Sequence, residues 1–423
     1  MMDLSKMFFE NLTFIITSVF LLIIFSYYIL IFINPKKTKK EKKFSSITII
    51  IPARNEEKYI GKAIESVLLA DFNGKKQVIV VDDGSIDNTS KVVSRYKNVQ
   101  LIRTKHKGKA NSLNLALSKA KGELIAVVDG DSYIKKDALQ EMSKELERKN
   151  VAAATGVVKV KNRDKLVCMW VHIEQIYNSL MRLLFSKLNA NIVTPGPLSM
   201  YRKKELMELG GFSTKGFSED MDITIRLIRK GYKIGYAENA ISETNMPYDA
   251  KGFFRQRTRF ARGMLNIFKR HLKFNRTIID LYTLPILLFT YIQAIIMGSF
   301  TIYQISSGYL TYFISKGIYF DFSVLKFFFE WFSIIGFVKW TFNALTGIIP
   351  LDFITMIGII STLLTYPLYL LAIIKFDKKF DLLHLIPIFF MFPFWLLIMF
   401  IYIISLPEMF RKRQYNIWKK NEP

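Results

Sequence analysis

No charged residue stands between Asn11 and Asn34, and positions 12–33 are dominated by Ile, Leu, Phe and Val. A run of that length can cross a hydrocarbon core of about 30 Å, so it is predicted as a transmembrane helix. It is longer than the apolar core of a cleaved signal peptide, and no small-x-small cleavage pattern follows it. Stretches 281–303, 353–374 and 385–406 repeat the signal, each long enough to span and free of Asp, Glu, Lys and Arg. A shorter stretch, 332–349, contains Lys339, with Glu330 just outside it. It reads as a tilted span, a snorkelling span or an interfacial helix.

Between these apolar blocks the period changes. Runs 47–51, 78–81, 99–102 and 124–128 are short and rich in β-branched residues, and they alternate with amphipathic helical stretches. That alternation predicts βαβ units and a doubly wound, mostly parallel sheet. The chain therefore divides into an N-terminal transmembrane helix (1–35), a cytosolic α/β domain (44–248), an interfacial amphipathic segment (249–276), a C-terminal transmembrane region of three to four spans (279–406) and a basic cytosolic tail (407–423).

Charge orients this arrangement. The chain carries 60 Lys and Arg against 35 Asp and Glu, a formal +25, while 51% of its residues are hydrophobic and 14% aromatic. With a mean hydropathy of +0.20, it is neither a disordered chain nor a nucleic-acid binder; it is part membrane protein. Lys36, Lys37, Lys39, Lys40, Lys42 and Lys43 place the flank of the first span in the cytoplasm and the N-terminus outside. A cytoplasmic tail bearing Arg411, Lys412 and Arg413 needs an even number of later crossings. Counting 332–349 gives five spans in all, at the cost of leaving Lys375, Lys378 and Lys379 outside. The single cysteine, Cys168, excludes an internal disulfide and reads as a buried small apolar residue.

In an open α/β sheet, ligands collect at the carboxyl ends of the strands. Here the first run ends in Pro52-Ala53-Arg54-Asn55-Glu56-Glu57, the second in Asp82-Asp83-Gly84-Ser85 and the fourth in Asp129-Gly130-Asp131, with a basic turn 105–109 opening a helix. Each acidic group alone is ordinary turn or cap chemistry. Together they set carboxylates at two strand ends of one sheet, where a divalent metal on Asp131 carrying a pyrophosphate would compensate the repulsion. The helix start behind Lys109 favours anions as well. Ser218-Glu219-Asp220-Met221-Asp222 opens a later helix, in which Asp222 is expected merely to complement the helix dipole. The segment 256–263 is basic and aromatic and precedes the membrane; Lys269, Arg270, Lys273 and Arg276 after it are expected to attract anionic lipid.

These blocks in this order resemble the membrane-bound family 2 glycosyltransferases, the group of poly-N-acetylglucosamine, hyaluronan, chitin and cellulose synthases. The family pattern is an Asp after the second strand, an Asp-x-Asp after the fourth, a Thr/Ser-Glu-Asp block and a Gln-x-x-Arg-Trp block before the membrane. Stretches 194–202 and 210–212 are similar to the hyaluronan and poly-N-acetylglucosamine synthase branch. The resemblance implies a GT-A-like fold for the α/β domain between its transmembrane helices, and inverting transfer from a nucleotide-diphosphate sugar, with UDP-N-acetylglucosamine or UDP-glucose as donor. It implies donor contacts from Asp82, Asp83, Lys109, Asn114, Asp129 and Arg259, Mg²⁺ or Mn²⁺ on Asp131, and Asp220 as general base. Glu219, Gln256 and Phe260 would lie at the acceptor mouth. Phe260 stands where the family has Trp, which keeps an apolar face and loses the indole N–H.

The acceptor is then a growing polysaccharide or a glycolipid, with no nucleic acid involved; the sequence does not identify an accessory export subunit. Single-sugar transfer to a lipid, as by ceramide glucosyltransferase-like enzymes, is the alternative within this chemistry. A transporter with a nucleotide-sensing domain is the non-enzyme alternative, opposed by the scarcity of ionisable residues inside the spans. A nucleotidyltransferase is opposed by the lack of a glycine-rich basic loop after the first strand.

Overall fold

The computed structural model describes residues 4–36, 38–247, 249–273, 275–378 and 380–410. Within them one sheet has eight strands: β1 (Ser46–Ala53), β2 (Lys75–Asp82), β3 (Val99–Arg103), β4 (Leu124–Val127), β5 (Ser132–Ile134), β6 (Val151–Val160), β7 (Ser199–Arg202) and β8 (Lys233–Thr244), in the spatial order β3-β2-β1-β4-β7-β6-β8-β5. The described residues form two units, one within 34–163, 178–284 and 406–410, the other within 4–33, 164–177 and 285–405.

The first unit carries the sheet. β1 is central, paired in parallel with β2 and β4, and all but its first residue are buried. Burial on both faces explains why it reads as a continuous apolar run instead of an alternating one. Ile47, Ile49 and Ile51 join Val78, Val80, Leu124 and Ala126 in one cluster with Ile60, Ile64, Leu139 and Met142 of two covering helices, Ile60–Leu69 and Ala138–Leu146. Thr48 is fully buried, and its hydroxyl donates to Gln77 Oε1 at 2.8 Å and accepts from the Gly122 amide at 2.9 Å. A polar atom in that position is tolerable because both of its bonds are made.

β3-β2-β1-β4 is the parallel half that the sequence predicts. The other half is mixed: β7 runs antiparallel to both β4 and β6, and β5 antiparallel to β8, while β6 and β8 are parallel. Register sets the active edge. Ala53 pairs with Asp82 and the Asp83 amide donates to Ala53 O at 2.9 Å, so Arg54 and Asp83 leave the sheet side by side.

In the second unit, Glu10–Phe32, Ile279–Lys316 and Phe353–Phe376 are long and apolar enough to span a membrane, and Leu383–Phe389 with Met391–Ser405 forms a pair bent by 60°. Stretch 332–349 contains the helix Ile334–Leu345, whose 12 residues extend about 18 Å, short of the hydrocarbon core. Tyr28 of the first helix donates to Leu364 O at 2.8 Å, and Phe14 meets Phe353 at 5.5 Å between ring centroids. Helix Leu166–Ser186 contributes its first half here. Trp170 Nε1 donates to Pro387 O at 3.1 Å and its ring lies 5.9 Å from that of Phe394; it thereby satisfies a carbonyl left open where the bent pair breaks. Cys168 is fully buried. Lys37, Lys379 and the basic residues 411–423 lie outside the described residues.

Candidate active site

The two carboxylates after β2 hold the loops around them. Asp83, 1% exposed, accepts from the Lys107 amide at 2.9 Å and the Gly108 amide at 2.8 Å, with His106 Nδ1 at 3.0 Å. Asp82 accepts from the Ser85 amide at 2.9 Å and from the Ser90 hydroxyl. The buried Arg54 guanidinium meets the other ring nitrogen of His106. Arg54, His106 and Asp83 thus form a relay across the ends of β1 and β2. His106 was absent from the sequence-based set, since a lone His in a basic turn carries no signal of its carboxylate partner. Gly108 ends this loop at φ +92°, a conformation that favours glycine, and the helix Lys109–Lys119 starts at the next residue.

Lys109 is the centre of the site. Its Nζ is 2.6 Å from Asp129 Oδ1 and 3.4 Å from Glu219 Oε1. Burial opposes its charge, but Asp129, Glu219 and Asp220 outweigh that and hold its pKa above the usual lysine value. A Cβ on Gly196 would collide with Lys109 Nζ and with both Asp129 oxygens, so the chain after Pro195 approaches the pair as closely as it does because a side chain is missing there.

Glu219 and Asp220 begin the helix Glu219–Arg229. Asp220 Oδ1 accepts from the Met221 amide at 2.8 Å. Its pKa is pushed up to about 7, chiefly by burial and next by Glu219, against the pull of Lys109. A carboxylate so placed changes protonation near neutrality, as a general base needs to. Behind it, the Thr224 hydroxyl donates to Asp220 O at 2.6 Å and meets Thr194 Oγ1 at 2.7 Å, which in turn meets the Tyr201 hydroxyl at 2.8 Å. This buried hydroxyl chain fastens the 194–196 loop to the helix start, a role the sequence did not disclose.

Asp131 is half-buried, with Ser132 Oγ 3.3 Å from its Oδ1, and its backbone carbonyl accepts from Asn245 Nδ2 at 3.2 Å. Oxygen donors at 129 and 131 on the end of β4 suit Mg²⁺ or Mn²⁺, so the residues fit the metal that the resemblance implies. Asn114 lies on the helix that Lys109 opens. Its Oδ1 accepts from the Phe212 amide at 2.8 Å and its Nδ2 donates to Phe212 O at 2.7 Å, clamping a turn in which Gly210 and Gly211 have φ of +75° and +74°.

Gln256, Arg259 and Phe260 lie on the helix Ala250–His271. Phe253, Arg257, Ala261, Leu265 and Phe268 form its buried face, Gln256 and Arg259 are half-buried, and Phe260 is 47% exposed with the Arg259 guanidinium 5.4 Å from its ring centre. The helix leans on the loop before Asp220: a Cβ on Gly263 would strike Ser218 Oγ, and one on Gly216 would strike Asn266. Ser218 holds the N-cap position without a side-chain cap bond. Two expectations are corrected here. Asp222 is fully buried and accepts from Arg226 Nε at 2.7 Å, Arg270 at 2.6 Å and His271 Nε2 at 2.8 Å, so it ties two helices together instead of serving a dipole. Arg270, expected to face lipid, also donates to Lys215 O at 2.8 Å and Ser213 Oγ at 3.1 Å.

A parallel β3-β2-β1-β4 half with acidic strand ends, joined to a mixed half, defines a GT-A-type fold, in a chain that also carries helices long and apolar enough to span a membrane. The family described as glycosyl transferase family 2 matches residues 48–210. A probable glycosyltransferase, YdaM, of Bacillus subtilis is 30% identical over 288 residues, covering 63% of this chain and 67% of that protein. The poly-beta-1,6-N-acetyl-D-glucosamine synthase of Staphylococcus aureus is 26% identical over 239 residues, 55% of this chain and 57% of the synthase. Among solved structures, mannosyltransferase PcManGT of Pyrobaculum calidifontis, in complex with GDP-Man and Mn²⁺, superposes with a TM-score of 0.58 at 19% identity, covering 88% of this chain and 99% of that one. The chain belongs to glycosyl transferase family 2 and is a glycosyltransferase.

Proposed function

We propose that the protein moves a sugar, with inversion, from a nucleotide-diphosphate donor to a growing polysaccharide or a glycolipid at the cytoplasmic face of the cell membrane. UDP-N-acetylglucosamine is the first donor to test, supported by the similarity to the staphylococcal synthase, and UDP-glucose the second. The observation that carries the reading is the convergence of the helix start bearing Glu219 and Asp220 on the Lys109–Asp129 pair, where burial and Glu219 push the Asp220 pKa up to about 7. Asp220 would take the proton of the acceptor hydroxyl as that oxygen attacks the anomeric carbon. Asp131 would hold Mg²⁺ or Mn²⁺, whose charge would favour a leaving diphosphate; Lys109 would exchange carboxylate for phosphate as the donor arrives. Arg54 and the Asp83-held 106–108 loop would border the nucleotide, and Gln256, Arg259 and Phe260 the acceptor. The membrane helices anchor this chemistry, with the N-terminus outside.

The test is membrane-reconstituted protein given Mg²⁺ or Mn²⁺ and a panel of nucleotide sugars, reading nucleotide release and product length. Metal-dependent release with one donor and a ladder of products is expected. A single-sugar lipid adduct would move the assignment to glycolipid synthesis, and no release with any donor would refute glycosyl transfer by the chain alone.

A further inference from the structure

The chain has four histidines, and each faces an aspartate. His106 meets Asp83 and His271 meets Asp222 in the catalytic domain. The remaining two converge on one carboxylate elsewhere. His172 Nε2 lies 2.6 Å and His384 Nε2 2.8 Å from the same oxygen, Oδ2 of Asp377. The three side chains are 2%, 3% and 6% exposed for His172, His384 and Asp377, and all belong to the unit that holds the membrane-length helices.

We infer that His172, Asp377 and His384 form a binding site for a divalent transition metal of the Zn²⁺ class, separate from the catalytic metal. Their ligand atoms lie within 4.8 Å of one another, the one such group of His, Cys, Asp or Glu among the described residues. Two imidazoles and a carboxylate are the donor set that such ions select from protein. An outer shell is present as well. His384 Nδ1 is 2.7 Å from Asp381 Oδ1, the carboxylate–histidine arrangement that fixes the tautomer and leaves Nε2 for the metal. Asp381 holds the N-cap position of the helix Leu382–Phe389, and the Phe380 ring stacks on the His384 ring at 5.8 Å. His384 is therefore aimed before any metal arrives.

The observed separations are hydrogen-bond distances, those of a cluster whose Nε2 atoms carry protons. Bonds of about 2.0–2.1 Å in tetrahedral geometry put ligand atoms about 3.3 Å apart. Loading thus displaces the Nε2 protons and draws each nitrogen back by roughly half an ångström. The ion would cross-link helix Leu166–Ser186, the end of helix Phe353–Phe376 and the start of helix Leu382–Phe389.

The experiment uses the full chain in detergent or nanodiscs, in an Asp131→Asn background so that the catalytic metal does not contribute. After chelation and dialysis, ZnCl₂ or CoCl₂ alone is added. One zinc per chain by mass spectrometry, intense tetrahedral cobalt absorption, and loss of both in Asp377→Asn and in His172→Ala are the expected results. Zinc content equal in the parent and in Asp377→Asn, or a weak octahedral cobalt spectrum, would overturn the site and leave a hydrogen-bonded His–Asp–His clamp. The cobalt spectrum of the chain with its three ligands intact does not depend on whether a variant folds.

Discussion

The pKa of Asp220 is a consequence of its neighbours, so changing a neighbour moves it in a defined direction. Burial and Glu219 push it up to about 7, and Lys109 pulls against them. With that value, about a tenth of the free enzyme carries the base at about pH 6, half near pH 7 and about nine tenths at about pH 8. The acidic limb of kcat/KM, which reports the free enzyme, therefore rises with unit slope and bends near 7. Glu219→Gln removes the like charge while keeping the side chain's size, so the bend moves to lower pH; each unit of movement corresponds to about 1.4 kcal/mol of relieved repulsion. Lys109→Met removes the opposite charge and moves the bend up. The assay is nucleotide release at sub-saturating donor across pH, at fixed metal. A bend that stays in place in Glu219→Gln, or that moves down in Lys109→Met, would refute the assignment of the limb to Asp220.

Further expectations separate chemistry from scaffold. Asp220→Asn should keep donor affinity in calorimetry and lose roughly a hundred- to ten-thousandfold in rate, whereas Asp131→Asn should lose metal-dependent donor binding itself; normal turnover in the first variant would remove Asp220 from its role. Asn114→Ala strips both bonds from the Phe212 backbone and should cost about 1–3 kcal/mol of stability, seen as a lower Tm. A Tm unchanged from the parent would contradict the clamp. Asp222 is depressed in pKa, since His271, Arg226 and Arg270 outweigh the effect of burial. Its contribution is therefore present above the carboxylate's unfolded pKa and lost as pH falls through the folded one. Asp222→Asn should lower stability at neutral pH and flatten its acid dependence in denaturant titrations.

How much of this the sequence discloses depends on how local the physics is. The parallel half of the sheet is legible because strands buried on both faces must be apolar throughout, as 47–51 and 78–81 are. The mixed half is not, because β7 has four residues and its antiparallel pairing is a tertiary choice that no period encodes. Asp129, Glu219 and Asp220 are found by position at strand and helix ends, and the structure brings them to one lysine. The bonds that Asp83, Asn114 and Asp222 make within the protein are not legible, for one reason. A buried carboxylate or amide that holds a distant loop or helix carries no mark, in sequence, of the partner it will meet. Gly196 and Gly263 leave no signal either, since what matters is the atom a neighbour would meet.

The meeting of His172 with Asp377 also bears on parity, the count of membrane crossings modulo two. Both residues belong to the unit that holds the membrane-length helices. Asp377 is in contact with His172, so any crossings of a bilayer between residues 172 and 377 are expected to be even in number. Ile279–Lys316 and Phe353–Phe376 are two helices of spanning length between them, which meets that parity without a crossing by 322–345. A cytoplasmic His172 would then bring Lys375 and Lys378 to the cytoplasmic face, where the positive-inside rule wants them. A cysteine at 378 in a Cys168→Ser chain should resist an impermeant maleimide in intact cells and react once they are opened; labelling from outside would reverse the parity.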